Sequence, residues 1–289
     1  MELRVLRYFL AVAREENITK AAGYLHISQP SLSRQLMQLE KELGVKLFKR
    51  SRHRIILTEE GQLLRRRAQE LIALSDKTER ELSQGEGSIF GEIAIGCGET
   101  KNMAYLSELI VGFRKIYPEV TFEIYTANAD DVKERIENGI LDFGLMLEPV
   151  EISKYNYIRL PLREKWCVLM RKDSRLAGKD TIKPQDLMGE QLLIAKRKSV
   201  HNELENWFGE YNDKMNAVVT CNLSYSNKSI MVKNHVGAAL VHEFDLMDDE
   251  LCLRPLEPAI EDACVLAWKK NQVFSPAVVK FIEYIKNAF

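Results

Sequence analysis

Residues 28–34 read Ser-Gln-Pro-Ser-Leu-Ser-Arg, a run of side chains suited to the edges of DNA bases. Glutamine can pair with adenine, arginine with guanine and serine with either, while a proline ring packs on a thymine methyl. A second concentration follows: Lys46, Lys49, Arg50, Arg52, His53 and Arg54 fall within nine residues, a density of cations suited to phosphates. A third stretch, Gly96-Cys-Gly-Glu-Thr-Lys101, sits between a strand pattern and a helix pattern. Free N–H groups and a helix dipole at such a turn favour an anion. It lacks the third glycine of a dinucleotide loop and the Gly-Lys-Ser/Thr ending of a P-loop, so nucleotide chemistry is not its expected use.

Catalytic and metal chemistry find little support elsewhere. His201, His235 and His242 have no metal-ligand spacing, and Cys97 has no evident histidine partner. The five cysteines (97, 167, 221, 252, 264) are odd in number, scattered, and set mostly in apolar runs. That suits reduced core thiols in a cytoplasm. We therefore expect no catalytic residue, no metal and no cofactor.

At 289 residues, with 46% hydrophobic and 29% charged residues, the composition is that of a globular protein of two or three domains. No apolar run approaches the roughly 20 residues that span a bilayer. The N-terminal MELRVLRYFLAVAREEN is interrupted by Arg4, Arg7 and Arg14, and is not read as a signal peptide. Charge is uneven: residues 1–58 hold 11 Lys/Arg against 5 Asp/Glu, and the remainder holds 30 against 37. A basic module on an acidic body points to a polyanion partner at one end.

The base-reading residues need a helix to present them. Leu3, Leu6, Leu10 and Ala13 predict an amphipathic helix over 2–15. Thr19 can cap a second short helix carrying Ala22 and Leu25. Ser28 is the expected N-cap of a third, with Pro30 in its first turn and Gly44 at its end. With Leu32 at zero, Leu36, Leu39 and Leu43 fall within about 40° of it, and Pro30 and Arg34 fall opposite. This is the spacing of a helix-turn-helix, whose second helix enters the major groove. An all-α domain with an ordinary polar surface has the same periodicity. The basic tip of VKLFKRSRHRIIL, standing where a wing would be, favours DNA.

Thr58-Glu-Glu opens a long helix to about Ser83, on the order of 39 Å in length. Leu64, Leu71 and Thr78 lie seven apart, with Ala68, Ser75 and Leu82 in the same seam. That stripe fits either a coiled coil or packing on the protein's own body. Arg65-Arg66-Arg67 reads as solvated surface, and Gly85–Ser88 as a hinge. Beyond it, strand patterns at 91–98, 120–127, 143–148, 166–172, 191–197, 217–224, 237–244 and 264–270 alternate with helical patterns at 103–117, 129–138, 201–210, 226–235 and 276–288. This predicts an α/β body with largely parallel sheets.

Residues 1–63 resemble the N-terminal domain of LysR-type transcriptional regulators. The resemblance rests on the Ala-Ala pair, Ser-Gln-Pro-Ser-Leu-Ser, Leu-Glu-x-x-Leu-Gly, Leu-Phe-x-Arg and the closing Leu-Thr-x-x-Gly. The rest of the chain agrees with the family in length and layout. The resemblance implies an α/β chain with an N-terminal winged helix-turn-helix and a periplasmic-binding-protein-like (type 2), two-lobed effector domain. Expected boundaries are 1–58 for DNA binding, 59–87 for the linker and dimerisation helix with its hinge, and 88–289 for the effector domain. Lobe I would hold about 88–161 and 264–289, and lobe II about 162–263.

By resemblance, Gln29, Pro30, Ser31, Ser33 and Arg34 contact bases or the groove, and Arg50, Arg52, His53 and Arg54 contact backbone and minor groove. Leu64, Ala68, Leu71, Thr78 and Leu82 would form the dimer seam. Glu99, Thr100, Lys101, Asn128, Lys196, Ser226 and Asn227 would line a cleft for a small-molecule effector of unknown identity. Glu99 disfavours a plain carboxylate there unless Lys101 or Lys196 compensates; an amine-bearing effector is the alternative. The implied partners are double-stranded promoter DNA, a second copy in a homodimer or dimer of dimers, and RNA polymerase if the protein activates; no membrane is implied. The competing reading is a solute-binding or enzymatic α/β protein with an incidental helical domain.

Overall fold

A computed structural model describes residues 1–50, 55–82, 89–222 and 225–288. Arg52, His53, Arg54, the side chains of Arg50 and Leu82, and the Gly85–Ser88 segment lie outside the described residues. The chain forms two compact units, Met1–Gly85 and Glu86–Phe289.

In the first unit three helices each bury a stripe against the others. Helix α1 (Leu3–Glu15) turns Val5, Leu6, Phe9 and Val12 inward, α2 (Ile18–Tyr24) gives Ala21 and Ala22, and α3 (Gln29–Leu43) gives Leu32, Leu36 and Leu39. The α1 stripe is rotated from the expected one: Leu3 is exposed, and fully buried Phe9 packs on Phe48 with ring centroids 5.2 Å apart. An aromatic side chain buries more area than a leucine, and here it decides which face turns in. Asn17, not Thr19, caps α2, its side chain accepting from the Lys20 N–H at 3.0 Å. Ser28 caps α3, Pro30 lies in the first turn, and Gly44 ends the helix in the left-handed conformation at φ 69°. Leu43, expected on the buried side, is exposed, because the core ends at Leu39.

Strands β1 (Phe48–Arg50) and β2 (Ile55–Leu57) pair antiparallel, and α4 (Glu59–Leu82) follows. The start of α4 is fixed by Thr58, whose hydroxyl donates to the Lys46 carbonyl at 2.6 Å and accepts from the Gly61 N–H at 2.9 Å. A Cβ on Gly61 would lie 2.1 Å from the Leu47 carbonyl oxygen. Only glycine lets the helix rest that closely on the hairpin. The helix also packs along α1, where Arg7 pairs with Asp76.

The second unit has two sheets. The first runs β4-β3-β5-β13-β6, from β3 (Gly91–Cys97), β4 (Val120–Thr126), β5 (Phe143–Leu147), β6 (Tyr155–Arg159) and β13 (Cys264–Lys269). Helices α5 (Met103–Ile116) and α9 (Pro276–Ala288) cover one face with a core around Phe113, Phe143 and Phe281. Helix α6 (Ala129–Glu137) covers the other through Val132 and Ile136.

The second sheet runs β11-β7-β10-β8-β9, from β7 (Glu164–Arg171), β8 (Gln191–Ala195), β9 (Asn216–Cys221), β10 (Ala238–His242) and β11 (Leu251–Pro255), with β12 (Glu261–Asp262) pairing β7. Helices α7 (Lys198–Phe208) and α8 (Tyr225–Lys233) take opposite faces. Strand alternation divides β7 between them: Trp166, Val168 and Met170 face the α7 core, and Leu169 the α8 core.

The sheets are mixed rather than largely parallel. Strands β3, β4 and β5 run parallel, as do β8, β9 and β10, but β13 and β7 enter from the other lobe and pair antiparallel. Strands β6 and β11 carry no strong signal because each is an edge strand. The chain passes from the first sheet to the second between Arg159 and Glu164, and returns through Ala263.

Candidate functional site

On α3 the buried leucines leave the first turns facing solvent. Gln29, Pro30 and Arg34 are exposed, Ser31 and Ser33 half-buried, and the Arg34 guanidinium lies 3.4 Å from the Pro30 carbonyl oxygen, to which it donates. The hairpin beyond is fastened to the same helix by Glu40. One carboxylate oxygen accepts from the Leu47 and Phe48 N–H groups at 2.8 and 3.4 Å, and the other takes Lys46 at 2.9 Å. Burial works against this charge, but the Lys46 bond and the two backbone N–H bonds outweigh it and hold the carboxyl below its ordinary range. The Leu-Glu-x-x-Leu-Gly motif is therefore a clamp that sets the hairpin against the exposed helix.

On α4 the expected seam divides. Ala68 is fully buried, with Leu64 and Ile72 packed on the same helical core. Ala68 therefore cannot lie at a dimer surface, and Leu64 is largely spent on the unit's own core. Farther along, Leu71 and Leu74 are exposed, and Thr78 is exposed with its hydroxyl donating to the Leu74 carbonyl at 2.8 Å.

Between the lobes of the second unit lies a cavity of about 120 Å³, partly open to solvent. Its first-lobe wall includes Gly98, Glu99, Thr100, Asn128 and Leu145 to Glu148. Facing these are Trp166, Arg197, Val200, Tyr225, Lys228 and His242. Of the expected residues, Glu99, Thr100 and Asn128 line it. Lys101 instead pairs with Glu243 at 3.4 Å. Lys196 is exposed and turned away, its neighbour Arg197 taking the place at the cavity. Ser226 lines a shallower neighbouring depression with Lys101, and Asn227 lines neither. Helix α8 starts at Tyr225, so Tyr225 and Lys228 share a face about 60° wide while Ser226 and Asn227 point elsewhere.

The cavity's polar groups are mostly spoken for. The Thr100 hydroxyl donates to Glu164, whose same oxygen accepts from the Asn102 side-chain amide at 2.9 Å. Asn128 caps α6, accepting from the Asp130 and Asp131 N–H groups. Glu99 reaches across to the start of α8: its carboxylate accepts from the Tyr225 N–H at 2.6 Å, and the Tyr225 hydroxyl donates to the Glu99 carbonyl at 3.1 Å. Burial, with the charges of Glu164 and Glu99, pushes the Tyr225 phenol up and keeps it a donor. Arg197 crosses the other way, donating to the Pro149 carbonyl at 2.7 Å and lying 3.4 Å from Asp130.

At the inner end, Asp262 accepts from the Trp166 indole at 3.0 Å and meets the His242 ring at 2.7 Å. Nearby, burial and the Asp262 carboxylate push Glu203 up to about 7. Burial likewise pushes Cys97 up, and Cys167 to about 11, holding both as protonated thiols. No cluster of three or more His, Cys, Asp or Glu among the described residues has metal-binding geometry, and no helix of the described residues is long and apolar enough to cross a membrane. Sequence reasoning missed Trp166, Arg197, Tyr225, Lys228 and His242. Their only signal was the strand ends and helix start that carry them.

A basic helical unit with a hairpin beside an exposed recognition face, followed by a two-lobed α/β unit around a cavity, defines a DNA-binding regulator with a ligand-binding domain. Residues 3–62 match the model of the bacterial regulatory helix-turn-helix protein, lysR family, and residues 86–289 match the LysR substrate binding domain. The chain is 32% identical over 248 residues to the HTH-type transcriptional regulator BsdA of Bacillus subtilis, covering 83% of each. It is 29% identical to the Hca operon transcriptional activator HcaR of Escherichia coli, over 99% of this chain and 97% of that one. Its fold is similar to that of full-length CbnR complexed with its target DNA (TM-score 0.74, 19% identity, all of both chains covered). The chain belongs to the LysR family: it is a DNA-binding transcriptional regulator with a substrate-binding domain.

Proposed function

We propose that residues 1–58 read promoter DNA, 59–87 link and dimerise, and 88–289 sense a small-molecule effector held between the lobes. Gln29, Pro30, Ser31, Ser33 and Arg34 would meet base edges and groove, and Arg50, Arg52, His53 and Arg54 the phosphates and minor groove. Dimerisation falls to the exposed stretch of α4 around Leu71 and Thr78, with Leu82 as the further residue of the seam. A dimer of dimers would form through the effector domains, and RNA polymerase is the further partner if the protein activates. It would act in the cytoplasm, without enzymatic turnover.

The observation that carries this reading is the cavity, whose two walls come from lobes joined by only two chain crossings. A ligand there changes DNA binding by as much as it prefers one arrangement of lobes or subunits. The usual coupling of 1–3 kcal/mol gives a roughly 5–150-fold change in affinity. Fluorescence anisotropy with DNA from upstream of the protein's own gene, titrated at low and high salt, tests the first part. Affinity should fall steeply with salt. Absence of DNA affinity at every salt concentration overturns the reading.

A further inference from the structure

Glu99 reaches across the cleft and seats its carboxylate at the start of α8, accepting from the Tyr225 N–H at 2.6 Å, while the Tyr225 hydroxyl donates back to the Glu99 carbonyl at 3.1 Å. The Tyr225 ring is steadied on its own lobe by stacking on Phe244, with centroids 4.5 Å apart and planes 3° from parallel. One turn into the same helix and on the same face, Lys228 is 7% exposed and donates to the Leu240 carbonyl at 3.2 Å. Burial lowers the Lys228 pKa, opposed by Cys221 and by the Glu99 carboxylate. Glu99 therefore meets a helix N-terminus and a buried ammonium together, and both belong to the opposite lobe.

Other contacts across the cleft are weaker in kind. Lys101 and Glu243 are 3.4 Å apart with both side chains partly exposed, where solvent screens the pair. Arg197 donates to the neutral Pro149 carbonyl at 2.7 Å, and the exposed Asp130 beside it is shared with Lys133. Glu99 differs in joining the lobes through a charge answered by both a backbone donor and a buried cation. Without it the closed arrangement loses twice, in the hydrogen bond and in the carboxylate opposite the buried Lys228. The cavity left between the lobes, about 120 Å³, is below the roughly 300–1,000 Å³ of clefts that enclose a small molecule. The lobes thus meet on each other rather than around a ligand-sized space.

Resting on the reading of this cleft as the sensing site, we propose that Glu99 is a built-in latch: its carboxylate holds the lobes closed through α8 without help from any ligand. Closure is then the resting state, and whatever enters the cleft must first displace Glu99 from α8. A group that displaces it acts by the difference in its affinity for the open and closed arrangements.

The test uses the full chain, dialysed free of small molecules, and hydroxyl-radical footprinting read by mass spectrometry. Trp166 lines the cavity and is buried, whereas the buried Trp207 and Trp268 do not line it. Wild-type protein should protect all three. In Glu99→Ala the open fraction should rise on the order of ten- to a hundredfold, the scale of a hydrogen bond to a charged group. Trp166 modification should rise with it while Trp207 and Trp268 stay protected. Glu99→Gln keeps an acceptor without the charge and should fall between. Glu243→Gln breaks the partly exposed pair across the same cleft and should leave Trp166 protected.

Ready modification of Trp166 in the wild type, or an unchanged Trp166 rate in Glu99→Ala, overturns the latch. The wild-type arm needs no variant, so a folding defect cannot mask that result. A rise shared by all three tryptophans in both Glu99→Ala and Glu99→Gln marks a packing contact, and overturns it too. DNA anisotropy on the same samples separates the latch from the sensing role. Trp166 release with unchanged DNA affinity supports the latch and removes the sensing role. Altered DNA affinity with Trp166 still protected overturns the latch and keeps the sensing role.

Discussion

Replacing Glu40 tests how the recognition helix and its hairpin are held together. The carboxylate is 11% exposed and accepts from the N–H of Leu47, a residue 1% exposed, at 2.8 Å. Glu40→Ala leaves that donor unsatisfied. A hydrogen bond to a charged acceptor contributes about 1.5–3 kcal/mol, the longer Phe48 bond less, and the exposed Lys46 pair at most about 1. Destabilisation of the first unit by about 3 kcal/mol follows, or roughly 12–24 °C in its melting temperature at about 4–8 °C per kcal/mol.

Glu40→Gln keeps an acceptor and loses the charge, so it should fall between. The pH dependence has a fixed sign. The folded-state pKa is lowered, so the charge contributes fully above the ordinary carboxylate range, near pH 4.3. The contribution is lost as pH falls through the lowered value, where the unfolded chain binds more protons. Hydrogen exchange of the Leu47 amide and urea unfolding at pH 7 and pH 4 provide the assay. A midpoint for Glu40→Ala within 0.5 kcal/mol of wild type by this scale, or an unchanged Leu47 exchange rate, refutes the clamp.

Arg34→Ala should relax preference at one base pair by about 1–3 kcal/mol, while Arg52→Ala weakens binding to all sequences and lowers the salt slope by about one. Equal losses on specific and random DNA for Arg34→Ala would argue against base reading. Leu71→Glu places a charge on the exposed stretch of α4 and should shift light scattering toward monomer at micromolar concentration; an unchanged mass removes the pairing reading. Glu203 gives an opposite pH effect to Glu40. Its pKa is raised from 4.5 to about 7 by burial and Asp262, so its contribution is full below the lower value and is lost as pH rises through the higher one. Glu203→Gln should therefore flatten the stability profile of the second unit between those values, and a profile identical to wild type contradicts it.

What the sequence made legible was local. The start of α3 is written in consecutive residues, Ser28 as cap, Pro30 in the first turn and Gly44 at the end, so the exposed face of Gln29 and Arg34 could be placed by arithmetic. The α4 seam was ambiguous because a heptad stripe does not state its partner, and the partner of Ala68 is the core built by α1, some sixty residues earlier. In the cleft, the phase of one helix decided the outcome. The face of α8 that meets the cavity carries Tyr225 and Lys228, about 180° from the Ser226 and Asn227 pair. The charge balance at Glu99 was legible as a problem and not as a solution. Lys101 pairs with Glu243 instead, and the Glu99 carboxylate is met by a backbone N–H from a helix more than 120 residues away and by the charge of Lys228.

The contacts across the cleft divide into two kinds, and the division implies how the lobes can move. Glu164 and Asp262 sit at the two chain crossings, adjacent in antiparallel register on β7 and β12. Glu164 ties Thr100 and Asn102 to the start of β7, and Asp262 ties Trp166 to His242. Being buried and placed at the chain crossings, these bonds are displaced least by a rotation of the lobes about those crossings. Glu99 on Tyr225 and Arg197 on Pro149 lie across the cavity, where the same rotation produces a larger displacement. A rotation of a few degrees stretches a bond in proportion to its distance from the axis. Opening must therefore break the Glu99 and Arg197 bridges before it disturbs Glu164 or Asp262.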